Sequence, residues 1–240
     1  MPHAVFPEST RGAFATVAPH HAFTTRALSF RGEQVAHDWE TLATHLITTP
    51  DRIVRVSQVH GRRVLIVTPE VPPPDAAEAD AIVCTDPMRS VAVRVADCVP
   101  ILLADRRHRV VAAIHAGWRG SCAGIAGATV EAIEALGIPA ADLVACIGPS
   151  MGPCCYQVDD TVRRSFLSVT PDAATWFADD GPGHWKLDLW RANVDQLAWA
   201  GVPEDAIEQM RVCTGDERAR CWSYRRDGAE AGRLVAAIGW

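Results

Sequence analysis

Hydrophobic residues in this chain fall in short runs divided by polar and Gly/Pro clusters, a spacing that predicts many strands and few long helices. Residues 100–104 (PILLA) and 110–114 (VVAAI) are apolar, and the charged tetrapeptide Arg106, Arg107, His108 and Arg109 separates them. This is the pattern of two buried strands joined by an exposed turn. Cys98 then lies just before the first strand and His115 just after the second, so antiparallel pairing brings both to one sheet edge. Further strands are predicted at 13–17, 22–28, 52–58, 64–67, 81–84, 91–95, 142–147, 211–213 and 234–238.

Helical spacing is confined to a few segments. One is 38–47, with Asp38 as N-cap. Another is capped by Ser121, carries Ile125, Thr129, Ile133 and Leu136 on one face, and stops at Gly137 and Pro139. A third starts near Asp159 or Asp160, and a fourth, 188–200, ends at Gly201 and Pro203. Segment 70–79, with Pro72, Pro73 and Pro74 in succession, fits neither a helix nor a central strand and is expected as a surface loop. The polar stretch 171–184 is the expected insertion or flexible loop. Sequential strands with helices between groups favour an α+β architecture, one domain over 1–240, rather than a parallel doubly wound sheet.

Composition narrows the partners. At 240 residues and 48% hydrophobic, the chain can bury a large core. A net charge of −6 without a long run of either sign leaves no electrostatic footprint for nucleic acid or an anionic membrane. The start, MPHAVFPESTRG, has no basic segment leading into an apolar one, and nothing later approaches the ~18 apolar residues of a spanning helix. The expectation is a cytoplasmic protein, whose eight scattered cysteines a reducing compartment keeps as thiols. There is no CxxC, and the adjacent Cys154 and Cys155 read as a structural or incidental pair. Oligomeric state leaves no mark in the sequence.

Candidate chemistry gathers at strand ends. Strand 52–58 leads into 57–61 (SQVHG), so His60 joins Cys98 and His115. One thiolate and two imidazoles suit zinc or copper, and three protein ligands leave a fourth position open, as a catalytic zinc requires. The intervals match neither a zinc finger nor an HExxH helix, and a buried Cys is ordinarily a small hydrophobe, so a structural reading of the same residues stands beside the metal one. Asp97 is placed either to orient a ligand histidine, to act as a base or to cap a turn. Gly117, Gly120, Gly124 and Gly127 either admit a ligand to the helix start, where an anion is favoured and Arg119 is at hand, or serve packing.

Five segments in order, SQVHG (57–61), ADCVP (96–100), HAGWRG (115–120), IGPSMGPCCYQV (147–158) and SYRRDG (223–228), resemble the signatures of the laccase-domain family. That family is also called multicopper polyphenol oxidoreductase, and its bacterial members are regarded as purine nucleoside phosphorylases with bound zinc. The resemblance implies mixed β-sheets packed together with outer helices. It makes His60, Cys98 and His115 both metal ligands and catalytic residues. It further implies phosphorolysis of adenosine, inosine and methylthioadenosine, with adenosine deamination besides, so that purine nucleosides and phosphate are the partners. Guanidinium groups suit phosphate, and Arg26 (TTR), Arg119 (GWRG) and Arg225 with Arg226 (SYRRDG) are the candidates. The chain departs from the family after TTR, where members carry a longer segment with a Gly-Gly-Val-Ser turn; contacts made by that segment are not carried over.

Other readings compete. His2Cys is also the equatorial set of a blue-copper site, which keeps a copper-dependent polyphenol oxidase (laccase) in view. None of the nine histidines, however, forms the His-x-His pairs from which a trinuclear copper cluster is built. A metal-free hydrolase would use Cys98 as nucleophile and His115 or His60 as base, and a non-catalytic binding protein would use neither. The HxE and PCxxC elements of the zinc nucleoside deaminases are both absent.

Overall fold

The 99–116 hairpin lies at the centre of the molecule because both of its faces are apolar. The structure, a computed structural model, describes residues 3–10, 12–71, 73–74 and 76–240. Its strands are β1 (His21–Phe23), β2 (Ile53–Val54), β3 (Val64–Val67), β4 (Ala81–Cys84), β5 (Ser90–Val95), β6 (Val99–Asp105) and β7 (Val111–Ala116). There follow β8 (Leu143–Ile147), β9 (Gln157–Asp159), β10 (Phe177–Asp179), β11 (His184–Leu187), β12 (Ile207–Gln209) and β13 (Leu234–Ile238). The helices are α1 (Ala13–Val17), α2 (Val35–His45), α3 (Trp118–Cys122), α4 (Ile125–Glu134), α5 (Asp160–Val169), α6 (Leu189–Trp199) and α7 (Tyr224–Asp227).

A six-stranded mixed sheet runs β12-β8-β6-β7-β4-β3, a four-stranded sheet β1-β13-β5-β2, and a small one β10-β11-β9. Side chains alternate across β6. Ile101 and Leu103 join Ile114 against Ile125, Val130 and Ile133 of α4 and Leu189 and Leu197 of α6. Leu102 and Ala104 face Val91, Val93, Leu234 and Ile238 of the second sheet. A strand buried on both faces reads as a continuous apolar run, which is why 99–105 shows no alternation. Burial of a side chain such as Leu102 stabilises the fold by about 1.5–3 kcal/mol. The outer face of the second sheet, with Ala22, Ala92 and Val235, is covered by Trp39 and Leu42 of α2. The architecture is thus α+β, mixed sheets with flanking helices, as expected.

Several elements differ from the sequence reading. Residues 13–17 form α1 rather than a strand: Phe14 alone is buried there, and its N–H donates to Glu208 Oε1 at 2.8 Å. Of 22–28 only the first part is strand, and of 52–58 only β2. The chain leaves the second sheet after Val54, and Ser57 exchanges backbone hydrogen bonds with 77–79, passing the chain from one sheet to the other. Asp38 is not an N-cap; it lies buried inside α2 and accepts the Ser29 and Phe30 N–H groups. Ser121 likewise caps nothing. It is buried in α3 and pairs with Asn193, while Gly124, at φ 78, separates α3 from α4. Segment 171–184 is ordered structure, anchored by buried Trp176, whose indole N–H donates to Asp195 Oδ2 at 2.8 Å. Residues 211–213 are not a strand, since Arg211 takes a positive φ of 52; the strand lies earlier, at β12. The 70–79 loop is as expected over its described residues, with Pro72 and Asp75 outside them. No helix among the described residues is long and apolar enough to cross a membrane.

Candidate functional site

Pairing of β6 with β7 sets Pro100 opposite His115 and Val99 opposite Ala116, so Cys98 and His115 meet at one end of the hairpin. His115 sits within β7 rather than after it, and is buried. On its other side β7 pairs with β4, which delivers Asp80, the residue just before that strand. The His115 N–H donates to the Asp80 carbonyl at 2.7 Å, and His115 Nδ1 bonds Asp80 Oδ1 at 2.8 Å. Asp80 also accepts the N–H groups of His60 (2.9 Å), Gly61 (2.6 Å) and Val59 (3.3 Å). Those three bonds hold the 59–61 turn, in which His60 carries a positive φ of 60. His60 is thereby set edge-on to His115, ring centroids 4.8 Å apart.

The ligand atoms of His60, Cys98 and His115 all lie within 4.8 Å of one another. With Nδ1 of His115 committed to Asp80, its Nε2 is the nitrogen left for a ligand role, the usual carboxylate–histidine arrangement of zinc sites. Zinc distances of about 2.0–2.3 Å put ligand atoms roughly 3.5 Å apart, so the set needs only a small contraction. Space is reserved around it. A Cβ on Gly117 would fall 2.9 Å from Cys98 Sγ and 3.1 Å from His60 Cδ2. A soft thiolate, two imidazoles and a buried carboxylate behind them fit a zinc or copper ion.

Charge is distributed accordingly. Burial opposes the Cys98 thiolate, but hydrogen bonds from His115 and His60 outweigh it and bring the thiol down to about 7. Burial works against a charged His115 as well, yet Asp80 and Cys98 raise it to about 9. Asp80 is held below the ordinary carboxylate range, the His115 and backbone hydrogen bonds overcoming its desolvation. Cys98 is therefore disposed toward the thiolate that a metal requires, while His115, held protonated by the same partners, must give up its proton for Nε2 to ligate.

Two adjoining cavities open onto Cys98. The larger, ≈ 480 Å³, is lined by Gln58, His60, Arg94, His115, Tyr224 and Arg233 among others. The second is walled by Trp118, Met151, Tyr156, Leu189, Tyr224 and Arg225. Burial holds the Tyr156 phenol above its ordinary value, so it remains a proton donor. Arg225 lies 5.5 Å from the Tyr156 ring and donates to the Gln157 carbonyl. Arg119 is exposed and stacks on Trp118 at 4.4 Å. Arg26 lines neither cavity; its guanidinium rests on Trp222 at 4.3 Å and donates to the Arg218 carbonyl. Arg226 is spent on Asp227 and on the Thr214 and Cys221 carbonyls. The helix start at Gly117 opens a five-residue helix, too short to concentrate a dipole on an anion.

Asp97 does not orient a histidine. It accepts Thr214 Oγ1 at 2.6 Å and the Arg225 N–H at 2.7 Å, a turn-holding role. The carboxylate behind the histidines is Asp80, which sequence reasoning passed over; its signal is an acid immediately before the apolar run AIVC. Arg94, Arg233, Tyr156 and Tyr224 were also passed over as lining residues.

The family model described as multi-copper polyphenol oxidoreductase laccase matches residues 24–240. The chain is 36% identical over 214 residues to purine nucleoside phosphorylase YlmD of Geobacillus stearothermophilus, covering 85% of this chain and 78% of that one. It is 33% identical over 239 residues to a purine nucleoside phosphorylase of Deinococcus radiodurans, covering 100% and 89% of the two chains. Among solved structures, YlmD of G. stearothermophilus superposes with a TM-score of 0.84 at 32% identity, over 91% of this chain and 90% of that one. Protein NMB0706 of Neisseria meningitidis superposes at 0.79 with 29% identity, over 91% and 93%.

Proposed function

Because this chain belongs to the multi-copper polyphenol oxidoreductase laccase family, we propose that it is a zinc-dependent purine nucleoside phosphorylase that also deaminates adenosine. The observation that carries the reading is the convergence of His60, Cys98 and His115 on one point with Asp80 behind two of them. The relatives from G. stearothermophilus and D. radiodurans are named purine nucleoside phosphorylases. Adenosine, inosine and methylthioadenosine are the proposed substrates, together with inorganic phosphate. Phosphate oxygen attacks C1′ of the sugar, the C1′–N9 bond breaks with its electron pair going to the purine, and the purine takes up the proton that hydrogen phosphate gives up as the sugar 1-phosphate forms, ribose 1-phosphate from adenosine and inosine and methylthioribose 1-phosphate from methylthioadenosine.

His60, Cys98 and His115 would hold the zinc ion, which would supply positive charge and Lewis acidity beside the cavity they line. The chain's own groups do the rest. Arg94 and Arg233 on the triad side and Arg225 on the far side offer guanidinium donors to phosphate. Trp118, Tyr156 and Tyr224 offer faces to a purine, and the Tyr156 phenol is a protonated donor within that wall. Arg119 flanks the same wall from its stack on Trp118. Asp80 fixes the orientation of His115 and the turn bearing His60, the positioning work that metal ligands need.

A multicopper oxidase is less well supported by the donor sets. Among the described residues two metal-competent groups occur, and the second, Cys154, Cys155, Cys213 and Asp216, contains no histidine with which to build a trinuclear cluster. The test is to incubate the protein with each nucleoside, with and without phosphate, and separate the products. Free base and ribose 1-phosphate appearing only with phosphate, and inosine forming from adenosine without it, are expected. Phenol oxidation without any base release would overturn the reading.

A further inference from the structure

We propose that Cys154, Cys155, Cys213 and Asp216 form a second metal site, for a divalent thiophilic ion of the zinc class, distinct from the His60–Cys98–His115 set. Their ligand atoms all lie within 4.8 Å of one another, as tightly grouped as those of the first set. Both neighbouring thiols turn onto one carboxylate: Cys154 Sγ donates to Asp216 Oδ2 and Cys155 Sγ to Asp216 Oδ1, each at 3.1 Å. Three sulfurs and one oxygen around a common point make a four-ligand set of the closed, structural kind, in contrast to the three-ligand set at Cys98. A tetrahedral zinc with Zn–S near 2.3 Å wants sulfurs roughly 3.7 Å apart, within the range to which small side-chain rotations bring these atoms.

The backbone is built to allow it. The 150–155 and 212–216 segments are stitched together, Ser150 accepting the Thr214 N–H at 3.0 Å and donating its own N–H to the Val212 carbonyl at 3.1 Å. Glycines occupy the two places where that approach is closest. A Cβ on Gly215 would lie 2.9 Å from Cys155 Cβ and 3.0 Å from its sulfur, and one on Gly152 would lie 3.2 Å from Cys213 Cβ. Gly152 also sends its N–H to Cys213 Sγ at 3.4 Å. The cysteines are free thiols. Cys154 and Cys155, adjacent in the chain, have Cα atoms about 3.8 Å apart, below the usual span of a disulfide. A disulfide between them would give Asp216 nothing to do, whereas a metal uses it as the fourth ligand. Each thiol that coordinates gives up its proton, and the ion replaces those protons between the sulfurs and Asp216.

The location gives the site a purpose. Thr214, between Cys213 and Gly215, donates to Asp97, the neighbour of Cys98, and Tyr156 follows Cys155 directly. An ion there would clamp the loop that gives Met151 and Tyr156 to the pocket beside Cys98 onto the 212–216 segment, which holds Asp97 through Thr214.

The test is made on reduced protein carrying Cys98→Ser, which disables the first set, by equilibrium dialysis against zinc and by the absorption of cobalt(II) added in its place. About one zinc per chain, with a strong near-ultraviolet thiolate-to-cobalt band, is expected of a cysteine-rich tetrahedral site. Adding Cys154→Ser or Asp216→Asn, both at exposed positions, should weaken zinc binding by more than about tenfold, since even outer-shell changes reach that size. Circular dichroism on each variant checks that the fold is kept. Retention of no zinc by the Cys98→Ser protein, or retention unaffected by Cys154→Ser together with Cys155→Ser, overturns the proposal. So does a disulfide joining any two of the three cysteines in place of bound metal. Because Cys98 is absent throughout, these outcomes are independent of whether the first set holds zinc.

Discussion

Asp80 is the residue on which the candidate site depends. Fully buried, it accepts from both histidine-bearing segments, so its removal should misplace His60 and His115 together. Asp80→Asn retains the size but loses the charge and one acceptor, and it is predicted to lower zinc affinity at the triad by about 10–100-fold. Asp97→Asn, whose partners are Thr214 and Arg225, should leave that affinity within a factor of about three, a change under 1 kcal/mol. Competition with a chromophoric chelator measures both. The strand-end positions of His60, Cys98 and His115 were legible in the sequence, but their spacing matched no local metal motif, and it was the resemblance of the surrounding segments that favoured the metal reading over a structural one. Asp80 was not legible, because the groups it binds lie about twenty and thirty-five positions away. Adjacency to Cys98 singled out Asp97 instead, but its backbone, at φ 87, belongs to the turn toward Thr214.

Among elements, those whose burial matches their local pattern were readable: the β6–β7 hairpin, β4, β13 and α6 need no distant information. Those that failed were decided by partners remote in sequence. α1 is helical with a strand-like composition because Glu208 receives the Phe14 N–H in its first turn, and the polar 171–184 stretch is ordered because Trp176 reaches Asp195. Two glycines show the same division. Gly127 lies within α4, and a Cβ there would meet nothing within 4 Å. Gly127→Ala is predicted to stabilise the protein by about 0.5–1 kcal/mol, the usual gain of alanine over glycine in a helix. At Gly148, just after β8, a Cβ would fall 2.2 Å from the Phe23 ring. Gly148→Ala should destabilise by about 1–3 kcal/mol, as overpacking does. Urea midpoints of the two variants should therefore move in opposite directions.

For the whole molecule, the acid limit of stability should reflect buried carboxylates. Asp105, fully buried at the end of β6, is desolvated, but hydrogen bonds from the Arg109 guanidinium and from backbone N–H groups outweigh that and hold its carboxyl below the ordinary range. A carboxyl depressed in the folded state stabilises above its unfolded pKa of about 3.9, and that contribution is lost as pH falls through the lower folded value. Asp105→Asn should therefore cost stability at pH 7 and progressively less as the pH falls below about 4, followed by thermal melts across that range. The layering that buries Asp105 also brings the ends of β4, β6 and β7 to one place, and that convergence carries the functional reading. The measurement that tests it most directly is titration of zinc into chelator-stripped protein while phosphate-dependent base release from adenosine is followed, beside a Cys98→Ala variant. Activity that returns with added zinc in the intact chain and not in the variant is predicted. Full activity in the stripped protein, or undiminished activity in Cys98→Ala, would contradict the account.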